Sequence, residues 1–406
     1  MSVHSDSRRA LGNVFSLAVV RGLDYLVPLI TIPYLVSKLG IQNFGLVNYA
    51  MSLALYFSAV MQYGFSITAV REIARNRENP RQVAIIYSET LSAIVVLIAV
   101  CALIYFPITL SVEIFRKQLP LYFFSFCFIS AQALFPIWFF HGMENMRQSA
   151  ILSFLSKILF LVSIFTFVKA PDDYSLVAAA NAISMMACSL FSILWIAKRH
   201  RVLYIRPSIK NILRLYGRGK DAFIAQLAPN LYNNSATFLL GSFAGAAPVG
   251  LFSAATRVVE VFNSVGMIIS SAFFPYLARN QNAAKRFQLA MLGIGTVFAI
   301  VCFGVSGYTA FILFPLEHEI ITKCIQIMSV GIIFYFAISA YHGNGLMLAG
   351  RDDLVRDISV FASIVFFIAG LILVPRFGIY GAISMLVGAR GFMAVGGYIL
   401  YSSKCK

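Results

Sequence analysis

The chain has 406 residues, of which 60% are hydrophobic and 12% are charged, and its net charge is +16. Because soluble domains carry about 25% charged residues, this composition excludes an ordinary soluble protein and predicts an all-α integral membrane protein. The basic excess would suggest a nucleic acid partner in a soluble protein. Here most Lys and Arg residues fall in short loops between apolar runs, so membrane orientation explains them and no nucleic acid partner is expected.

The apolar runs exceed the roughly 18 residues that a membrane-spanning helix needs. They predict about twelve transmembrane helices joined by short loops. The segment after the first two arginines is too long and too polar for a cleavable signal, so we expect it to be the first span. The predicted spans are 12–38, 44–69, 83–106, 119–140, 147–168, 174–197, 221–244, 249–277, 287–314, 321–348, 355–374 and 378–402.

The distribution of basic residues supports this number of spans. With the N-terminus placed in the cytoplasm, 22 of the 32 Lys and Arg residues fall in cytoplasmic segments, 6 on the opposite side and 4 within spans. Positive charge favours the cytoplasmic side of a membrane. The sequence therefore predicts that both termini are cytoplasmic.

The six cysteines show no close spacing and most lie within apolar runs. They are expected to be small core residues rather than members of a disulfide framework or a metal site. No metal and no cofactor is expected, apart from H⁺ or Na⁺ as a coupling ion.

A distinctive stretch, Phe135–Met146, joins the fourth and fifth predicted spans. Pro136 is expected to bend the helix, and Trp138 suits a membrane–water interface. Gly142 is expected to end the helix in a left-handed conformation. Glu144 is expected in the first turn of the next helix, where the helix dipole favours an anion.

A weak internal repeat divides the chain. Residues Gly45 to Asn76 are echoed, 205 and 204 residues later, by Gly250 to Asn280, and Leu39-Gly40 is echoed by Leu240-Gly241. The two copies begin the second and the eighth predicted spans, an even number of spans apart, which predicts two parallel six-helix lobes with a cavity between them. The predicted boundaries are 1–200 for the first lobe, 201–220 for a basic cytoplasmic linker and 221–406 for the second lobe. The linker either lies on anionic lipid headgroups or is an ordinary loop whose charge orients the helices.

Several ionisable residues fall inside predicted spans, where a charge costs about 2.5–3.5 kcal/mol. The four bases predict a cationic cavity that binds phosphate oxygens: Arg21, Lys157, Arg257 and Arg390. The alternative for two of them is a local structural pair three residues apart, Arg21 with Asp24 and Arg257 with Glu260.

Other polar residues complete the predicted site. The acids Asp24, Glu89 and Glu260 are expected either to hold the bases or to bind a coupling ion, although Glu89 alternatively lies near the interface. Asn233 and Asn234 are expected to line the cavity and contact sugar hydroxyls, with interhelical hydrogen bonding as the alternative.

Several motifs together resemble the Wzx-type polysaccharide flippases of the multidrug/oligosaccharidyl-lipid/polysaccharide exporter superfamily. The resemblance covers most of the chain and is strongest in the first 160 residues. Phe252-Ser253 departs from it, since the family usually has Tyr there. The matching segments are Pro33-Tyr34-Leu35, Leu39-Gly40, Phe44-Gly45, Gly64-Phe65, Arg71-Glu72-Ile73-Ala74, Pro136–Met146, Val249-Gly250 to Ala255 and Phe274-Pro275.

The resemblance implies two six-helix lobes that form a V around a central cavity with alternating access. It implies a non-enzymatic flippase in the bacterial inner membrane, with membrane lipids around it. The implied cargo is an undecaprenyl-pyrophosphate-linked oligosaccharide of the O-antigen type. A polysaccharide polymerase and a chain-length regulator are candidate partners.

Two other functions stay open at this point. A drug or cation antiporter of the same superfamily would be expected to have an acid-dominated cavity, whereas this chain has four bases against three acids within its spans. A membrane glycosyltransferase or polymerase would need a large loop for its active site, and the loops here are short.

Overall fold

In a computed structural model of the protein, the backbone is described for residues 3–280 and 283–404, and the side chains for these residues except 3–26, 225, 228–232 and 404. This part of the chain is helical and contains no strand, which confirms the predicted all-α class. The helices are α1 (Val3–Gln62), α2 (Phe65–Arg75), α3 (Pro80–Ser111), α4 (Glu113–Arg116), α5 (Leu119–Leu134), α6 (Ile137–Gly142), α7 (Met146–Phe167), α8 (Tyr174–Arg199), α9 (Ile209–Ala244), α10 (Ala246–Arg279), α11 (Ala284–Leu313), α12 (His318–Ile338), α13 (Asp352–Phe377) and α14 (Ile379–Lys404), with a π-helix at Ser339–Leu346.

Ten helical segments in the described ranges are long and apolar enough to cross a membrane. The predicted membrane class is confirmed, and nine of the predicted spans each coincide with one of these segments. The number differs from twelve in two places. The first two predicted spans fall in one segment of the ten, Val27–Arg75, but the backbone at Gly40 is not helical and divides α1 into two helices, so the predicted boundary between these spans coincides with a break. The seventh falls within α9, which is not among the ten segments.

The apolar surface of the spans faces outward as well as inward. Leu103 is 76% exposed and Ile183 66% exposed, whereas Tyr105 and Ile129 are fully buried. Apolar side chains are as stable in contact with lipid as in the protein interior. Helix association in such a protein therefore depends on close packing and on hydrogen bonds between helices. The Tyr105 hydroxyl accordingly donates a hydrogen bond to the Tyr122 carbonyl at 3.0 Å.

The described chain separates into two compact units. The first comprises Met1–Val27 and Leu53–Leu227, and the second comprises Pro28–Ser52 and Ala228–Lys406. In the first unit α5 packs on α8, α7 on α8, and α2 on α6. In the second α11 packs on α12, α13 on α14, and α12 on both α10 and α14.

In the first unit, the Phe135–Met146 stretch packs against α2. Pro136 precedes α6, as expected for a break between helices. Three details differ from prediction: Trp138 is buried at 3% exposure, the left-handed residue is Glu144 rather than Gly142, and Glu144 lies before α7. Gly142 is needed because a Cβ there would lie 2.7 Å from the Cβ of Ile73.

In the second unit, the repeated glycines meet in a reciprocal contact. A Cβ on Gly45 would overlap the carbonyl oxygen of Ala246, and a Cβ on Gly250 would overlap the carbonyl oxygen of Ile41. Both pairs of equivalent positions, Ile41 with Ala246 and Gly45 with Gly250, are 205 residues apart. Glycine permits this approach because it has no side chain.

The same repeat explains the two backbone breaks that precede these glycines. Gly40 has φ 75° and ψ 161°, and Gly245 has φ 86° and ψ −174°. Only glycine adopts this conformation without strain. The structural counterpart of Gly40 is therefore Gly245, and the pairing of Gly40 with Gly241 read from the sequence is wrong; Gly241 instead makes room for the ring of Tyr49.

Candidate functional site

Arg390 is a buried cation in the middle of α14. Its side chain is among the buried polar groups, at 8% exposure, and its guanidinium carbon lies 5.7 Å from the centre of the Tyr335 ring. Gly331 leaves space for it, since a Cβ there would lie 3.7 Å from one guanidinium nitrogen. No carboxylate among the described side chains forms an ion pair with Arg390, and the aromatic face of Tyr335 contributes a cation–π interaction.

Arg257 and Glu260 form the local pair that the sequence analysis considered. The guanidinium donates a hydrogen bond to the Glu260 carboxylate at 2.9 Å, and the two side chains are 47% and 31% exposed. Three residues further along α10 lies Asn263, at 4% exposure. Neither its amide nitrogen nor its oxygen has a hydrogen-bond partner in the described part of the chain, which marks a polar spot inside the second unit that the sequence analysis did not identify.

The remaining predicted site residues are dispersed. Lys157 in α7 is half-buried and has an interaction partner. In α9, Asn233 is exposed and Asn234 is half-buried. The side chains of Arg21 and Asp24 lie outside the described residues.

Glu89 in α3 has a partner that the sequence did not reveal. The Asn211 side-chain amide donates a hydrogen bond to the Glu89 carboxylate at 2.8 Å. Asn211 belongs to the basic segment between the two predicted lobes, 122 residues away in sequence. This long separation is why no local pattern indicated the contact.

The π-helix at Ser339–Leu346 is a further feature that the sequence analysis missed. A ring nitrogen of His342 lies 2.9 Å from the Met393 carbonyl, and the Asn344 amide donates to the hydroxyl of Ser270 at 2.7 Å. π-Helical segments inside α-helices are frequently found at functional sites. Gly343 and Gly345 lie within this segment, and glycines in a span permit close packing or bending.

A groove of about 610 Å³ lies between α10 and α11 in the second unit. Its walls are mainly apolar and aromatic, and Arg286 is the one cation in its lining. Within the described ranges, no cluster of three or more His, Cys, Asp or Glu residues could hold a metal ion.

The helices and the charged residues within them identify the class of protein. In the part of the chain that the structure describes, this is a multi-pass, helical membrane protein with charged residues inside its spans. Its fold is shared with solved transporters. One is the lipid II flippase MurJ in an inward closed conformation, which gives a TM-score of 0.72 at 14% identity and covers 97% of this chain and 87% of that one. An inward-facing multidrug resistance MATE transporter of the MOP superfamily gives a TM-score of 0.67 at 14% identity, covering 93% of this chain and 97% of that one.

Residues 10–281 match the model of the family described as "Polysaccharide biosynthesis protein", and the chain belongs to that family. The predicted resemblance to Wzx-type polysaccharide flippases is thereby confirmed. A "Putative O-antigen transporter" of Escherichia coli K12 is 27% identical over 266 residues, which cover 66% of this chain and 64% of the relative's length. A Shigella dysenteriae protein of the same name is 24% identical over 379 residues, covering 91% of this chain and 94% of that one.

Proposed function

We propose that this protein moves an undecaprenyl-pyrophosphate-linked oligosaccharide of the O-antigen type from the cytoplasmic to the periplasmic leaflet of the bacterial inner membrane. The proposal draws on family membership, on two relatives whose names specify O-antigen transport, and on a fold shared with a lipid II flippase. Both termini lie in the cytoplasm in this proposal, and access to the cargo alternates between the two sides.

The observation that carries the proposal is Arg390. A buried guanidinium is costly inside a membrane, and such residues mark substrate or ion pathways. The five donors of a guanidinium match two phosphate oxygens at once, as a pyrophosphate offers them. In this mechanism the anionic headgroup replaces the missing carboxylate as the partner of Arg390, while the lipid tail stays in the bilayer.

Other polar residues have supporting roles in the proposal. Arg21, Lys157 and Arg257 add positive charge for the headgroup, and Asn233 and Asn234 hydrogen-bond sugar hydroxyls. Since Arg257 is already paired with Glu260, the headgroup must share this cation with the carboxylate, which makes its contribution smaller than that of Arg390.

Coupling to H⁺ or Na⁺ is part of the proposal and involves Asp24, Glu89 or Glu260. The two acids with described side chains each have one polar partner, Asn211 and Arg257 respectively. A carboxylate with a single neutral amide partner keeps acceptor positions for a cation, which favours Glu89 over Glu260. A polysaccharide polymerase and a chain-length regulator are the proposed partners that use the product.

The test is a flipping assay in proteoliposomes loaded with labelled undecaprenyl-pyrophosphate oligosaccharide. Accessibility of the sugar to an impermeant reagent reports transfer across the membrane. Arg390→Gln is compared with Arg376→Gln, an exposed arginine at the end of α13 in the same unit. Arg390→Lys separates the need for charge from the need for a planar fork.

We expect the wild type and Arg376→Gln to transfer the sugar, Arg390→Gln to lose transfer by at least about 100-fold, and Arg390→Lys to fall between them. The magnitude follows from about 1.5–3 kcal/mol for each charge-assisted hydrogen bond, two of which are lost. Folding is checked by melting temperature. Full transfer by folded Arg390→Gln overturns the role of Arg390, and lengthening of the glycan by the wild type would indicate an enzyme instead.

A further inference from the structure

We propose that residues 203–218, named here the basic strap, form a binding surface for the headgroups of anionic phospholipids. The strap joins α8 to the body of α9 within the first unit. This inference does not depend on the proposed cargo, because its test measures bound phospholipid in the absence of any oligosaccharide.

The strap carries an exposed row of cations. Lys210, Arg214 and Arg218 recur every four residues in α9, so they lie along one side of the helix, and Arg206 precedes them. Arg218 lies 3.6 Å from the Glu72 carboxylate. Arg206, Lys210 and Arg214 are exposed and form no ion pair with any acid whose side chain is described, which leaves three charges for an external anion.

Large apolar side chains are exposed beside this row. Leu203 is 74% exposed, Ile209 is 77% exposed and Leu213 is 63% exposed. Ile209 and Leu213 are four residues apart, so they form a second stripe next to the cations. A soluble phosphate or an acidic protein surface would cover only the charges, whereas a bilayer surface covers both stripes at once.

Hydrogen bonds fix the strap to α3 at a defined level. The Ile205 amide donates to the Ser88 hydroxyl at 2.9 Å, the hydroxyls of Tyr204 and Ser92 are 2.7 Å apart, and Asn211 donates to Glu89 at 2.8 Å. All three anchors on α3 lie within five residues. The strap is therefore held in place rather than free to leave the protein surface.

The position of these anchors agrees with the membrane surface. The exposed apolar side of α3 begins at Val95, which is 51% exposed, and Val96, which is 42% exposed. At a rise of 1.5 Å per residue, Val95 lies about 9 Å from Glu89 along the helix. The strap thus crosses α3 about one headgroup layer away from the lipid-facing apolar surface.

The first experiment measures lipid retained by the purified full-length protein in detergent, using native mass spectrometry and added phosphatidylglycerol or phosphatidylcholine. Each basic residue near an anionic surface contributes about fivefold to binding. Neutralising two, in K210Q/R214Q, should therefore weaken phosphatidylglycerol retention about 25-fold and leave phosphatidylcholine retention unchanged. Raising the salt concentration should weaken the wild-type interaction in the same direction.

The control is R116Q/K117Q, which removes the same charge from the exposed end of α4 elsewhere in the first unit, where Lys117 pairs with Glu113. We expect this variant to retain phosphatidylglycerol like the wild type. Equal losses in the two variants would show that net charge alone attracts the lipid, and would overturn the proposal. Undiminished retention by K210Q/R214Q would overturn it directly.

A second measurement reports where the apolar stripe lies. Leu213→Trp adds a fluorophore to a chain that has two tryptophans, and brominated lipids quench tryptophan that touches the bilayer. We expect the added emission to be quenched more strongly by brominated phosphatidylglycerol than by brominated phosphatidylcholine, and this preference to vanish when K210Q/R214Q is added. Absence of any quenching of the added tryptophan would place the strap in water and refute the assignment.

Discussion

Replacing Gly250 with alanine tests the reciprocal glycine contact in the second unit. The added Cβ would lie 3.0 Å from Cγ1 and 3.2 Å from the carbonyl carbon of Ile41, and it would overlap the carbonyl oxygen. Since ordinary contacts between such atoms are about 3.5–4.0 Å, the two backbones must separate by roughly 1 Å. Overpacking of this kind costs about 1–3 kcal/mol, partly offset by about 1 kcal/mol of better helix propensity.

Gly304→Ala is the matched control, because Gly304 lies inside α11 and a Cβ there meets nothing within 4 Å. Melting temperature in detergent, followed by intrinsic fluorescence, should fall for Gly250→Ala and stay equal or rise for Gly304→Ala. Gly45→Ala, at the reciprocal position, should behave like Gly250→Ala because its Cβ would lie 2.7 Å from the Ala246 carbonyl carbon. If both alanine variants at the crossing melt like the wild type, the close approach does not exist in the protein.

Three further changes test packing, pH dependence and a hydrogen bond. Burial lowers the pKa of His200, so the unfolded chain binds a proton on this residue more readily than the folded chain. The stability of the wild type should therefore fall as the pH drops through about 6.5. Because His200→Gln lacks this group, its melting temperature should decline less between pH 7.5 and 5.5 than that of the wild type. Gly142→Ala should destabilise by about 1–3 kcal/mol because its Cβ would lie 2.7 Å from Ile73, and adding Ile73→Ala should restore part of the loss in a thermal-shift assay. Tyr49→Phe should cost about 1 kcal/mol by removing the 2.9 Å hydrogen bond to Ser242, and a further Ser242→Ala change should then add little, which a double-mutant cycle in melting temperature would reveal.

The membrane class and most helix positions could be predicted because they depend on local composition. A run of apolar residues must form a helix in lipid, since no water satisfies its backbone groups. The break at Gly40 falls between the first two predicted spans, as expected from the sequence. The local rules were less reliable at Glu144, where the left-handed turn falls two residues after the glycine that was expected to adopt it.

The candidate site was predictable only as a set of residue types. A base in an apolar run indicates function because of its cost, which selected Arg390 along with Arg21, Lys157 and Arg257. It did not show that a tyrosine ring and a glycine lie beside Arg390. The spacing of Arg257 and Glu260 permitted a local pair, and the structure contains it. The partner of Glu89 lies 122 residues away, so no pattern within one helix could identify it.

Hydropathy, charge asymmetry and short motifs are properties of neighbouring residues, and they were enough to predict a helical membrane protein that resembles the polysaccharide flippases. Two contacts could be seen only in the folded chain: the near-symmetric contact of Gly45 with Ala246 and of Gly250 with Ile41, and the hydrogen bond by which Asn211 fixes the basic strap to Glu89. These contacts depend on which helix surfaces come together. That choice is made by packing and hydrogen bonding between segments far apart in the chain, where local propensity carries no information.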